Sequence, residues 1–267
     1  MTESRERYVE LINAQYGGKD LADSLLRRVR KGKPEGAKVL AQDLYPYDQV
    51  HIGMAEATRQ LAAMAGFGSG QRVLDVGSGL GGTARLLAAE RACRVMGIDL
   101  TESYHAAARR LTAEVGLADR AEFTLGDATA LPFPEGSFDG VVLQHCTMNI
   151  RDKHALFAEC ARVLPPGGVV ALHEWVKVGD VPMILPVRWA DTPEINFITP
   201  RGEFEGLLAE AGFVAREMRD VSGESQRWLE ARGAGVESPR AALLFGNMAR
   251  NLAERRAALL MAVYTKR

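Results

Sequence analysis

Cysteine is scarce: Cys93, Cys146 and Cys160 are the three in 267 residues, and their separations match no metal-binding spacing. Three widely separated thiols do not make a disulfide framework, and a reducing cytosol is their expected setting. Net charge is also lacking. Thirty-three Lys and Arg against 34 Asp and Glu leave −1, spread along the chain, so no basic stripe argues for nucleic acid or an anionic membrane surface. No apolar run reaches the roughly 18 residues that cross a bilayer. The opening residues are too polar for a signal peptide, which makes a cytoplasmic location the expectation. Internal repeats and low-complexity tracts are missing too. What remains is ordinary for a globular protein, 47% hydrophobic and 25% charged residues, in a chain long enough to bury a substantial core.

The chain is organised around residues 72–83, RVLDVGSGLGGT. Val73, Leu74 and Val76 form an apolar run that stops at Gly77, Gly79, Gly81 and Gly82, after which an Ala/Leu-rich segment begins. The pattern predicts a buried strand, a tight turn and a helix start. Glycines there permit positive φ and let a ligand lie on bare backbone, while the helix start offers free N–H groups. The spacing Gly77-x-Gly79-x-x-Gly82 also fits a dinucleotide fingerprint. Asp75 discriminates: a carboxylate two places before the first glycine repels a pyrophosphate and attracts a cationic or amino-bearing ligand. With VLDVGSGLGG as its first motif, the sequence resembles the class I S-adenosylmethionine (AdoMet)-dependent methyltransferases.

Around this element, hydrophobic periodicity predicts helices before residue 50, a loop at 31–36 and another helix from Met54 to about residue 65. From residue 72, strands and helices alternate. Strands are expected at 72–76, 93–98, 121–125, 138–143 and 169–175, with helices at 82–90, 102–115 (Thr101 as N-cap) and 153–164 between them. Residues 180–199, broken by prolines yet rich in large apolar side chains, are expected to form a lid or pocket wall. Thr199 is expected to cap the next helix, with Pro200 in its first turn. A sixth strand at 213–221, two helical additions and a last strand at 257–264 suit an antiparallel edge hairpin. The expected fold is therefore α/β: a Rossmann-like, doubly wound, seven-stranded, mostly parallel sheet with an antiparallel last strand. An N-terminal helical cap occupies residues 1–68, and an AdoMet-binding domain containing the lid occupies 69–267.

In such a sheet, ligands sit beyond the carboxyl ends of the strands. Asp75, Gly77, Ser78, Gly79, Asp99, Asp127, Gln144, His145 and Glu174 all fall there. A carboxylate at Asp99 can accept both ribose hydroxyls, and Leu100 then offers an apolar face to the adenine. The resemblance implies that Asp127, with Ala128, lies near the adenine amino group. More closely, QHCTMNI at 144–150 and DQVHIGMAEAT at 48–58 resemble the bacterial glycine, sarcosine and dimethylglycine methyltransferases. That resemblance implies that His51, with Gly53, reaches the cofactor's methionine end, and that Gln144 borders the methyl donor.

His145 is the best titratable candidate for taking a proton from a nucleophile; the alternative is a ring merely packed beside the cofactor. Glu174 is a second catalytic candidate, or a solvated carboxylate beside His173. Asn149, Arg188, Trp189 and Arg250 are the substrate-side candidates, the arginines as clamps for a carboxylate or phosphate. The expected function is methyl transfer from AdoMet to N or O of a small molecule, with C open, by alignment and exclusion of water. A homodimer is allowed; a metal, nucleic acid or membrane partner is not expected. The rivals are an NAD-dependent oxidoreductase, against which Asp75 and Asp127 speak, a non-catalytic AdoMet-binding protein, and a membrane quinone methyltransferase, for which the N-terminal helices lack a basic–apolar stripe.

Overall fold

A computed structural model describes residues 2–267. Four helices come first: α1 (Thr2–Tyr16), α2 (Leu21–Lys31), α3 (Ala41–Asp48) and α4 (Met54–Ala65). The alternating region follows as β1 (Arg72–Val76), α5 (Gly82–Arg91), β2 (Arg94–Asp99), α6 (Glu102–Glu114), β3 (Ala121–Leu125), β4 (Gly140–Gln144), α7 (Lys153–Val163) and β5 (Val169–Lys177). The remainder is α8 (Arg201–Glu210), β6 (Phe213–Asp220), α9 (Ser222–Ala234), α10 (Pro239–Ala253) and β7 (Ala257–Lys266).

The seven strands form one sheet in the order β3-β2-β1-β4-β5-β7-β6. β1 to β5 run parallel, and β7 is antiparallel to both its neighbours. The chain leaves β1 for β2 and β3 on one side and returns to β4 and β5 on the other, so the switch point lies between β1 and β4. That crevice is where α/β sheets bind ligands. Val73, Leu74 and Val76 of β1 are fully buried, each contributing about 1.5–3 kcal/mol of apolar burial.

Two local expectations change. β4 begins at Gly140 because Phe138 and Asp139 are tied elsewhere: the Phe138 amide donates to Val163 O, and Asp139 Oδ2 accepts the Arg72 amide at 2.8 Å. Thr199 does not cap α8. Pro200 holds the N-cap position, and the Thr199 hydroxyl donates to Phe197 O instead. The expected antiparallel pair does stand at the edge of the sheet, with β7 inserted between β5 and β6 and β6 outermost.

The first four helices share the sheet's cores. Ile12, Ile52, Ala57 and Leu61 pack with Val73, Ala171 and Trp175, while Leu25, Leu26 and Val29 pack with Leu80 and Leu111. Residues 180–199 form a pinned wall: Asn251 makes two hydrogen bonds to Ile184, and Asn247 donates to Pro186 O. Val187, Trp189 and Ala190 of this wall are buried. No helix among the described residues is long and apolar enough to cross a membrane.

Candidate active site

The glycine turn takes its shape from close approaches. Gly77 has φ 69°, and a Cβ there would sit 2.5 Å from Cys146 Cβ; at Gly82 it would sit 2.6 Å from Asp48 O. The turn is lashed to β2, with the Gly77 and Ser78 amides both donating to Ile98 O. Behind it lies a fully buried ion pair, Arg85 to Asp48 at 2.7 Å, whose guanidinium also donates to Leu80 O, Ala108 O and Thr112 Oγ1. This pair fastens α3 to the start of α5. Sequence reading missed it, because an arginine within a helix pattern looks like a surface residue.

A cavity of about 780 Å³ opens over the switch point, within the roughly 300–1,000 Å³ range of small-molecule sites. Gly77, Gly79, Asp99, Leu100, Asp127, Ala128, Gln144, His145, His51, Asn149, Arg188 and Trp189, all expected from sequence, line it. Asp99 is held by two amides, Gly79 N to Oδ2 and Thr101 N to Oδ1, each 2.8 Å. Burial pushes its pKa up, and these two amide bonds oppose the rise. Asp127 accepts from Thr129 N and Oγ1 on one oxygen and from Arg5 on the other.

Gln144 Oε1 is fixed by Thr83 at 2.9 Å and Thr58 at 3.2 Å, which leaves Gln144 Nε2 buried with no protein partner. Asp75 lies just behind the lining, 2% exposed, with Oδ2 also unpartnered. Its pKa is raised to about 7, by burial first and by Asp99 second.

His145 has positive φ, 53°, and its ring forms a cluster with His51 and His173, at centroid distances of 5.9 and 4.7 Å. Burial pulls all three below their usual range, His51 to about 4 and His173 to about 3. His145 is therefore neutral. Trp175 Nε1 donates to its Nδ1 at 3.3 Å, so the ring hydrogen belongs on Nε2, and the resting ring offers a donor rather than a base.

Besides Asp75, four sequence candidates do not line the cavity. Ser78 is a buried part of the turn, and Gly53 is the N-cap of α4 with φ 74°. Glu174 braces the loop after β4: one oxygen accepts Cys146 N, and the other accepts Thr147 N and Oγ1. Its carboxylate holds this loop from within and is not the solvated group of the alternative reading. Arg250 is exposed, pairs with Glu254 at 3.0 Å and borders a separate shallow hollow.

Asn149 does line the cavity, yet its side chain is spent on structure. It donates to Trp189 O and Ile195 O and accepts from Tyr16, while Tyr8 donates to its backbone carbonyl. Tyr8, Tyr16, Trp228, Arg232, Arg240 and Phe245 also border the cavity. They went unread because they stand on helices outside the strand–helix alternation, where no strand-end rule selects them.

The site thus has the parts of a nucleotide-cofactor fold: a glycine turn at the switch point, a carboxylate at the end of β2 and another after β3. The chain belongs to the class I AdoMet-dependent methyltransferases. The family described as "Methyltransferase domain" matches residues 74–172. Methyltransferase GfsG of Streptomyces halstedii is 30% identical, over 67% of this chain and 70% of its own length. Sterol 24-C-methyltransferase of Eremothecium gossypii is 35% identical over 53% of this chain, and the chain spans only 38% of that relative's length. Among solved structures, geranyl diphosphate C-methyltransferase from Streptomyces coelicolor A3(2) superposes with a TM-score of 0.76, covering 97% of this chain and 98% of that one. At 17% identity this likeness is one of fold.

Proposed function

We propose that the protein is an enzyme that transfers a methyl group from AdoMet to a small molecule. One observation carries the reading. A single cavity is lined by the glycine turn, Asp99 and Asp127 and also by Arg188, Trp189, His51 and His145, so donor and acceptor can share one chamber. The residues present fit the cofactor: Asp99 keeps lone pairs for two ribose hydroxyls, Leu100 offers a face to adenine and Asp127 an acceptor to its amino group. Gln144 Nε2, buried and unpartnered, suits a ligand carboxylate, and Asp75 behind the turn suits a ligand cation.

AdoMet when bound supplies an already activated methyl group on a sulfonium, so the protein's own task is alignment and exclusion of water. Asn149 ties the wall at 180–199 and α1 to the loop after β4, and Tyr16, Asn149 and Trp189 all line the cavity. His145, neutral, carries its hydrogen on Nε2, a buried nitrogen with no protein partner, which suits it to donate to an acceptor heteroatom; proton uptake at Nδ1 would require the Trp175 bond to open. Nitrogen and oxygen acceptors come first. Carbon stays open, since two of the relatives above are named for C-methylation.

The test is release of S-adenosylhomocysteine (AdoHcy) from AdoMet in the presence of a panel of small amines, acids, phenols and isoprenoid alcohols. Turnover with at least one acceptor is expected. Tight AdoMet binding with no AdoHcy formed from any of them would favour the non-catalytic reading instead.

A further inference from the structure

We propose that the outer end of the cavity, bounded by Arg188, Arg232 and Arg240, takes the anionic head group of the acceptor, a carboxylate or phosphate ester, while the acceptor's apolar body lies against Trp228 and Phe245. This rests on the methyltransferase reading for the meaning of acceptor, although the binding itself is measurable without turnover.

The three guanidiniums come from three separate stretches: the pinned wall, the end of α9 and the start of α10. Their convergence on one cavity is not a by-product of helix periodicity. Arg240 pairs with Asp191 of the wall. Among the described residues, Arg188 and Arg232 pair with no carboxylate. Arg232 is held over the Trp228 ring at 6.0 Å, and Trp228 meets Phe245 edge-on at 6.3 Å. Charge therefore sits at the rim of an aromatic floor.

Three carboxylates, Asp99, Asp127 and Asp191, line the same cavity, as does a fourth arginine, Arg28, stacked over Tyr47. The first two stand at the cofactor end, and the third is neutralised by Arg240. The acceptor end thus carries net positive charge, and a neutral acceptor would leave two forks unused. Guanidinium forks match carboxylate and phosphate oxygens in pairs. All three arginines are exposed, so the attraction is screened and must weaken with salt.

The experiment is calorimetric titration of the full chain, saturated with AdoHcy, with three probes of equal apolar length: octyl phosphate, octanoate and octanol. The anions are expected to bind roughly tenfold more tightly than octanol, or about 1.4 kcal/mol, and the better anion identifies the head group. Arg188→Gln with Arg232→Gln should remove that advantage while leaving AdoHcy and octanol affinities unchanged. Arg219→Gln, on the β6 edge, should change nothing.

Should the double variant misfold, the wild-type salt dependence decides. Octyl phosphate affinity must fall from 50 to 500 mM NaCl while octanol affinity does not. Equal affinity for octanol and octyl phosphate, no octyl phosphate binding at millimolar concentration, or an unaltered double variant would each overturn the proposal. Failure of AdoHcy to bind would instead overturn the methyltransferase reading, and the same probes on the unloaded protein would still test the anion end.

Discussion

His145 shows how far a single residue's role depends on what its neighbours leave it. As a sequence symbol at the end of a strand it reads as a base. In the fold, Trp175 occupies Nδ1 and burial holds the ring neutral, which turns it into a donor. His145→Gln, which keeps an N–H donor, should then retain most of the turnover, and His145→Phe should lose more. A loss of about 100-fold or greater in the glutamine variant, the scale of general base catalysis, would restore the base.

Asp75 gives a second prediction at this scale, through pH. Its folded pKa of about 7 stands above the ordinary carboxyl value of 3.8, so the native state binds the extra proton and this group's contribution to stability falls as pH rises from about 4 to 7. His51 and His173 act in the opposite direction. Their folded values, about 4 and 3 against 6.5, mean that stability is lost as pH falls below 6.5. Asp75→Asn should therefore gain stability relative to the wild type steadily between pH 4 and 7, read by urea denaturation of the unliganded protein. A constant difference across that window would contradict the assignment. Asp75 and Asp99 were both legible in the sequence, because an acidic residue closing an apolar strand needs a reason. The tautomer of His145 was not, because it depends on a tryptophan 30 positions away.

At the scale of elements, the buried Arg85–Asp48 pair is the join between the helical N-terminal part and the glycine turn. Removing one partner strands a charge in the core, at a cost of about 3–5 kcal/mol. Arg85→Met alone should lower stability by that order, whereas Arg85→Met with Asp48→Leu should recover much of it, as chemical denaturation would show. If the single variant lost less than about 1 kcal/mol, the pair would not be the join. The wall at 180–199 makes a comparable case. Its proline-rich, apolar composition announced a pocket wall but could not show how it is held. Asn251 and Asn247 of α10 hold it, through three hydrogen bonds to Ile184 and Pro186, and those contacts span more than 60 residues of sequence. Asn251→Ala leaves both Ile184 groups unpartnered, a loss of about 1–3 kcal/mol.

Across the whole molecule, the alternating core was readable because short strand runs with clear stops alternate with helix-periodic segments: β1 stops before Gly77, β2 at Asp99 and β3 before Gly126. The parallel direction follows from the long crossover connections between successive strands. The insertion of β7 between β5 and β6 was not readable, since an antiparallel strand at the end of a chain satisfies the same pattern at either place. The candidate cofactor end was legible for the same reason as the strands. The acceptor end stands on α1, the wall, α9 and α10, whose side chains meet only in the folded chain.

The central claim is that this switch point holds AdoMet and not a dinucleotide. Calorimetric titration of the purified protein with AdoMet and with NAD, repeated on Asp99→Ala, addresses it directly. AdoMet should bind, NAD should not, and Asp99→Ala should weaken AdoMet by about tenfold or more, equivalent to at least about 1.4 kcal/mol. NAD binding in place of AdoMet, or an Asp99→Ala variant with unchanged AdoMet affinity, would contradict the account.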